Sequence, residues 1–147
     1  MKRPFLLLCL LALISCESDD REPDCSLVLP PPNWFAIGFI DQAGNPLIGT
    51  VFTQDSFKLA GAGKVIYLRP VSFGTRETLL VPFPDIQNGA TYNLELDADN
   101  TERLRVDFET RESSCGNSYI ISALFYNGKL FSEEDEEVYL LPKQIDP

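Results

Sequence analysis

Histidine is absent from this chain of 147 residues, and methionine and tryptophan occur only once each. The missing histidine removes the side chain that most often acts as a base near neutral pH and most often binds zinc. Long runs of helix-forming residues are also missing, whereas Val, Ile, Leu, Phe and Tyr are plentiful and are interrupted by Pro and Gly. This composition favours β-strands and excludes catalysis by a serine–histidine pair.

Basic side chains are scarce relative to acidic ones. If Lys2 and Arg3 leave with an N-terminal leader, 10 of the 12 basic residues remain against 22 acidic ones, for a net charge of −12. A surface of that sign repels phosphate groups, so nucleic acids and anionic lipid headgroups are poor partners. The plainest interpretation of the acidic surplus is that it keeps the protein soluble.

The longest apolar run lies at the N-terminus and is short. It extends from Phe5 to Ile14, after the basic residues Lys2 and Arg3. As a helix it would be about 15 Å long, whereas the hydrocarbon core of a bilayer is about 30 Å thick. A positive start, a short apolar centre and a small residue before the cut are typical of a secretory signal. We therefore expect residues 1–15 to be a removable signal peptide.

The end of this run carries a more specific motif, Leu13-Ile14-Ser15-Cys16, which resembles the lipobox of bacterial lipoproteins. The resemblance implies that a diacylglycerol is joined to the Cys16 sulfur and that the lipoprotein signal peptidase cuts before this cysteine. The new amine would then be acylated, for example with palmitate. Several chains hold a membrane far better than one, since each buried methylene contributes about 0.8 kcal/mol. The alternative is an ordinary secretory signal cut near Ser15, which leaves Cys16 as a plain thiol.

Acidic residues follow Cys16 directly. Because residues 16–32 combine like charges with few apolar groups, we predict a disordered, hydrated tether between the lipid and the folded body. The start of this tether resembles the acidic export signal of Bacteroidota lipoproteins, and the matching residues are Ser18, Asp19 and Asp20. That resemblance implies an outer-membrane lipoprotein exposed on the cell surface. The alternative is a periplasm-facing lipoprotein with an acidic linker.

The chain has four cysteines. Cys9 would leave with the signal peptide and Cys16 would carry lipid, so Cys25 and Cys115 remain. In the oxidising compartment that an exported protein enters, such a pair tends to join, and we predict a Cys25–Cys115 disulfide. A bridge closing a loop of about 90 residues contributes roughly 4–5 kcal/mol by chain-entropy estimates. The alternative is a reactive thiol pair, but no Cys-x-x-Cys spacing or basic neighbour supports it.

Short apolar runs bounded by turn residues continue through residues 33–147, which we predict to be one domain. They predict an all-β fold, an antiparallel β-sandwich of about eight strands, immunoglobulin-like or transthyretin-like. The predicted strands are Asn33–Ile40, Leu47–Thr53, Lys64–Leu68, Thr78–Phe83, Tyr92–Asp97, Arg103–Glu109, Ser118–Tyr126, Lys129–Phe131 and Val138–Leu141.

Residues 37–51 resemble the first hairpin of transthyretin-like and carboxypeptidase-regulatory-like modules. The resemblance lies in a strand, Asp41, the motif Gly44-Asn45-Pro46-Leu47 and Gly49 before a second strand. It implies a β-sandwich and no particular activity, since such modules are usually non-catalytic appendages.

One hairpin has a clear predicted register. Apolar and polar residues alternate from Tyr92 to Asp97 and again from Arg103 to Glu109, so Ala98–Glu102 is placed in the loop. The hydrophobic face sets the register and cross-strand charges agree with it. The predicted pairs are Leu96–Leu104, Leu94–Val106, Tyr92–Phe108, Asp97–Arg103 and Glu95–Arg105.

Three segments have compositions that suggest chemistry. The acidic run Glu133–Glu137 offers oxygen ligands for calcium, but a solvated loop that protects a sheet edge is the simpler interpretation. Asp97–Glu102 begins like a calcium loop but lacks its glycine and distant glutamate. Gly61–Lys64 suggests a phosphate loop but lacks its first glycine and its Ser/Thr, so we interpret it as a turn. No metal site and no cofactor are predicted.

Five aromatic residues, Trp34, Phe35, Tyr119, Phe125 and Tyr126, are candidates for a sugar-stacking or peptide-binding face. In a sandwich such residues more often belong to the core or a half-buried strand. The sequence therefore predicts a non-catalytic, membrane-anchored surface lipoprotein, an accessory or envelope component whose protein or glycan partner is unknown. One alternative is a carbohydrate- or protein-binding module. Another is a small hydrolase that uses carboxylates alone.

Overall fold

The computed structural model describes residues 24–27 and 29–145 of the chain. The predicted signal peptide, Cys16 and the export residues Ser18, Asp19 and Asp20 lie outside the described residues. Short 3-10 turns cover Cys25–Leu27, before the first strand, and Phe83–Asp85, between the fifth and sixth strands. The ten strands among the described residues are β1 Trp34–Ile40, β2 Phe57–Gly61, β3 Lys64–Leu68, β4 Pro70–Phe73, β5 Arg76–Pro82, β6 Thr91–Glu95, β7 Thr101–Ser113, β8 Gly116–Tyr126, β9 Lys129–Ser132 and β10 Val138–Pro142.

The strands form two sheets that share one apolar core. One sheet has four strands in the order β10-β1-β5-β4, and the other has six in the order β3-β2-β6-β7-β8-β9. Every pairing is antiparallel except that of β1 with β10, which is parallel. The all-β sandwich is confirmed, with ten strands in place of about eight. In the part of the chain that the structure describes, we find no helix with the length and apolarity that a membrane crossing requires.

Alternation of apolar and polar residues decides which side of each strand is buried. On β1 the side chains of Phe35, Ile37 and Phe39 enter the core, and on β6 those of Tyr92 and Leu94 do so from the opposite sheet. Full burial of one such side chain contributes about 1.5–3 kcal/mol. Because the period of a strand is two, the same pattern commits the intervening residues to the outer faces of the sandwich.

The register predicted for the β6–β7 hairpin is wrong by four residues. Tyr92 pairs with Leu104 rather than Phe108, and the connecting loop is residues 96–100. The reason is that Glu102, predicted to lie in the loop, belongs to β7 and is buried, where it binds Lys143. An even shift leaves the apolar residues on the core side, so hydrophobic patterning alone cannot detect the error. The predicted charge pairs Asp97–Arg103 and Glu95–Arg105 are not formed.

The predicted strand Leu47–Thr53 is also wrong, because this segment forms only isolated bridges. Gly49 has a φ of +80°, and a Cβ there would lie 2.2 Å from the Glu77 carboxylate, so the chain turns tightly at this point. The coil still buries its apolar side chains, Leu47, Ile48 and Phe52. The second strand expected from the transthyretin-like resemblance is therefore not formed.

Candidate functional site

The outer face of the four-stranded sheet is apolar, and we call it the outer apolar face. Its small residues Ala36 and Gly38 on β1 and Thr78 on β5 are buried, although they point away from the core. Larger neighbours cover them: a Cβ at Gly38 would lie 3.0 Å from Leu140, and the Trp34 and Phe73 rings meet edge to face at 5.7 Å. The sheet thus has buried residues on its outer side as well as in the core.

The outer face of the six-stranded sheet is polar, and we call it the outer polar face. Lys58 on β2 pairs with Glu95 on β6 at 2.7 Å, with both side chains about two-fifths exposed. Arg103 and Arg105 lie two residues apart on β7 and therefore point to the same side. Exposed apolar residues lie among these charges near the edges of the sheet, namely Val65, Tyr67 and Leu130.

A recess of about 160 Å³ lies on the outer polar face, over β6, β7 and the end of β8. We call it the basic recess, and its lining residues are Thr91, Arg103, Leu104, Arg105, Phe125 and Gly128. They come from β6, β7, β8 and the turn after β8, which the sheet order places side by side. Sequence patterning could have located it, since Arg103 and Arg105 alternate with core residues, but both were assigned to cross-strand ion pairs that do not form.

Arg105 is held in place at two points within this recess. Its guanidinium carbon lies 3.8 Å from the centre of the Phe125 ring, and its Nη2 donates a hydrogen bond to Asp107 at 3.0 Å. Its Nε is buried and has no hydrogen-bond partner among the described residues. Arg103, in contrast to Arg105, forms no ion pair with an acidic side chain among the described residues. The recess therefore presents one fixed and one unneutralised guanidinium group.

A second recess, of about 360 Å³, lies at one end of the sandwich and combines aromatic with acidic residues. We call it the aromatic recess. Three of the five predicted aromatic candidates reach it: Trp34, Phe35 and Tyr119. Phe83 stacks on Tyr119 with ring centres 4.7 Å apart, and the carboxylate-bearing Asp135, Glu136 and Glu137 line the other side.

The five predicted aromatic residues therefore do not form one binding face. Phe35 belongs to the core, and Phe125 lies on the outer polar face under Arg105. Tyr126 packs against the core, where burial and a hydrogen bond with Glu102 raise its pKa above the ordinary value. The sequence could identify aromatic residues in strands but not which sheet face each one joins.

The acidic run Glu133–Glu137 is fixed to the body by its own hydrogen bonds. Asp135 accepts one from the Ile121 backbone N–H at 3.0 Å. The Tyr139 hydroxyl donates to the Glu134 carbonyl and accepts from the Glu136 backbone N–H. Within residues 24–27 and 29–145, no group of three or more His, Cys, Asp or Glu side chains is arranged to hold a metal ion. The loop leads directly into β10, which is an edge strand. That the acidic run protects this edge from pairing with other chains remains a prediction.

The two other candidate loops are compact turns. The Asp97 carboxylate accepts hydrogen bonds from the Asn100 side-chain amide and from the backbone N–H groups of Asp99 and Asn100, and these interactions lower its pKa. The segment Gly61–Lys64 joins β2 to β3 through Ala62 and Gly63, whose φ values of +48° and +74° fit a type I′ hairpin turn. The interpretation of Gly61–Lys64 as a turn is confirmed.

A buried ion pair joins the two sheets, and the sequence interpretation missed it. Lys143 follows β10, and its Nζ donates to Glu102 on β7 at 2.5 Å. Only 10% and 7% of the two side chains are exposed. Burial acts to raise the Glu102 pKa, but hydrogen bonds from Lys143, Asn127 and Tyr126 outweigh it and leave the pKa lowered. No sequence signal links partners 41 residues apart, although Glu102 does occupy a core position of the β7 alternation.

The predicted disulfide is present between Cys25 and Cys115, with Cα atoms 5.2 Å apart. Cys115 lies in the turn between β7 and β8, at the tip of a hairpin arm that we define as residues 109–120. Most residues of this arm are exposed, whereas the rest of β7 and β8, residues 101–108 and 121–126, contains the buried residues of both strands. The bridge therefore fastens the beginning of the described chain to the far end of the longest hairpin.

Four of the described carboxyl groups have a shifted pKa. A carboxylic acid that donates a proton near neutral pH needs a raised pKa. Among the described carboxyl groups, those with a shifted pKa are Asp24, Asp41, Asp97 and Glu102, and in all four the pKa is lowered.

No protein-family model, curated protein or solved structure matches this chain.

Proposed function

We propose that this protein is a non-catalytic, exported lipoprotein: a β-sandwich held at the outer membrane by lipid on Cys16 and exposed on the cell surface. Residues 1–15 serve as its signal peptide, and Ser18, Asp19 and Asp20 direct it to the surface rather than to a periplasm-facing position. It acts as an accessory or envelope component through the faces of its body.

The Cys25–Cys115 disulfide is the observation that supports this proposal most. Disulfides of this structural kind persist in oxidising compartments and are rare in the cytosol. A protein with a bridge near its N-terminus is therefore consistent with a leader that takes the chain out of the cytoplasm. The support concerns export, and the lipid itself rests on the lipobox resemblance.

The position of the bridge suits a tethered protein. Eight residues lie between Cys16 and Cys25 in the chain, so the two cysteines are at most about 30 Å apart at full extension. Force on a lipid at Cys16 would pass through Cys25 to the hairpin arm and from there into β7 and β8. The longest pair of strands would thus carry the load, rather than the first strand alone.

Labelling with fatty acid in the native host tests the anchor. Wild-type protein should incorporate labelled fatty acid, and Cys16→Ala should lose the label and accumulate uncleaved or soluble. Cys9→Ala is the matched control, because Cys9 lies inside the predicted signal and its loss should leave labelling intact. Continued labelling of Cys16→Ala would reject the lipobox interpretation.

A second candidate function, a carbohydrate- or protein-binding module, is favoured by the basic recess. Its unneutralised Arg103 and fixed Arg105 are grouped beside an aromatic ring on an outer face, on a chain whose net charge is strongly negative. A recess that combines aromatic and apolar surface with a few convergent polar groups is typical of ligand sites. A small hydrolase that uses carboxylates alone remains the weaker alternative, since every shifted carboxyl pKa among the described residues is lowered.

A further inference from the structure

We propose that the basic recess binds the carboxylate of an acidic saccharide that lies across the outer polar face. This inference rests on the second candidate function and assigns its ligand class. It does not depend on the lipid anchor, because every group involved lies in the folded body.

The two arginines are close enough for both to bind the same anion. Their Cα atoms lie about 7 Å apart along one strand face, and both residues line the recess. Arg105 is already immobilised by Phe125 and Asp107, so little conformational entropy is lost when it binds. Arg103 lacks an acidic partner among the described residues and supplies the uncompensated charge. Guanidinium groups match the planar geometry of carboxylates.

The charge of this face differs in sign from that of the molecule. The described residues hold 17 acidic and 9 basic side chains, a net charge of −8. The outward charges of β7 nearest the recess are two basic side chains against one acidic one, Arg103 and Arg105 against Asp107, while Lys58 on β2 is paired with Glu95 on β6. At physiological salt, charges beyond about 8 Å are largely screened, so an anion in the recess is governed by this local surplus.

The location of the recess favours a saccharide over a peptide. Extended peptides are commonly held by main-chain hydrogen bonds at a sheet edge, whereas this recess lies over β6, β7 and β8, inside the six-stranded sheet. Its 160 Å³ is well below the volume of sites that enclose a whole small ligand, which start at about 300 Å³. It therefore accommodates one charged group, while sugar rings pack on neighbouring apolar side chains, including the exposed Leu130.

Calorimetric titration of the disulfide-bonded protein tests this assignment. The probes are oligomers of galacturonate and of mannuronate, each as the free acid and as the methyl ester, together with an oligoglutamate peptide. We expect binding of at least one free acid, weakened about tenfold or more by esterification and by Arg103→Gln, as for the loss of a charge-assisted hydrogen-bond pair. Lys64→Gln removes an equal charge from the first residue of β3, outside the recess, and should bind like wild type.

Each other result overturns the proposal in a recognisable way. Equal binding of acid and ester would reject the carboxylate assignment but leave a carbohydrate-binding module standing. Equal weakening by Arg103→Gln and Lys64→Gln would show general electrostatics and reject the recess. Binding of an acidic peptide, but of no oligosaccharide, through Arg103 would reject the saccharide. No binding of any probe would overturn the inference while leaving the labelling test of Cys16 unaffected.

Discussion

The two sheets of this sandwich present the same kind of surface to the core but opposite kinds to the outside. The four-stranded sheet is apolar on its outer side as well, where Ala36 and Thr78 are 0% and 1% exposed beneath Trp34, Phe73 and Leu140. The six-stranded sheet has ion pairs and arginines outside. Substitutions should therefore disturb folding on the first outer face and ligand binding on the second.

Only one charged contact crosses between the sheets among the described residues, and it should have the largest effect on stability. Glu102→Ala would leave the Lys143 ammonium buried without its partner. Breaking a buried pair in this way costs about 3–5 kcal/mol. Urea unfolding should therefore show a much lower free energy of unfolding for this variant.

Glu95→Ala on the outer polar face is the matched control for that prediction. Its pair with Lys58 is about two-fifths exposed, and exposed pairs contribute only about 0.2–1 kcal/mol. Replacing both buried partners, with Glu102→Leu and Lys143→Met, should recover most of the lost stability. Equal losses for Glu102→Ala and Glu95→Ala would contradict the contrast between interior and surface.

A second comparison inserts the same acid into each outer face. Ala36→Glu on β1 places a carboxyl group in a fully buried position, at a cost of about 2–4 kcal/mol from overpacking and an unsatisfied polar group. Ala123→Glu on β8 also points outward, but its site is only partly buried, and we expect a change below about 1 kcal/mol. Thermal unfolding measured on both variants would show whether the two faces differ as described.

The smallest predicted effect is a pH dependence. The Glu102 pKa is lowered relative to its ordinary 4.5, so the ionised form is favoured by the folded state. Its stabilisation is therefore present above pH 4.5 and is lost as the pH falls through the lower folded-state pKa. The difference in free energy of unfolding between wild type and Glu102→Gln should narrow across that acidic range. A difference that stayed constant down to complete protonation would contradict this assignment.

Patterning and redox chemistry predicted the coarse features because each depends on local composition. Two-residue alternation identified the strands of the β6–β7 hairpin, and the count of exported cysteines identified Cys25–Cys115. The strands β2 and β4 were missed because they are short and lie close to turns and proline. Pro70 is compatible with β4 because that strand lies at a sheet edge.

The features that escaped prediction depend on contacts between distant parts of the chain. From the sequence Glu102 resembles a loop residue, because its partner Lys143 is distant in the chain. Its position in β7 shifts the pairing of β6 with β7 by four residues from the predicted register. Gly49 allows the chain to turn because its φ of +80° is rarely adopted by other residues, and Glu77 occupies the space that a side chain would need. The basic recess could be anticipated only as an outward Arg103–Arg105 pair, since Phe125 joins it from another strand.

The intact mass of the protein purified from native membranes tests the proposed function most directly. Our account predicts a chain that begins at Cys16, carries a diacylglycerol and an amide-linked acyl chain, and contains the Cys25–Cys115 bridge. A product that begins upstream of Cys16, or that begins there with an unmodified cysteine, would contradict it.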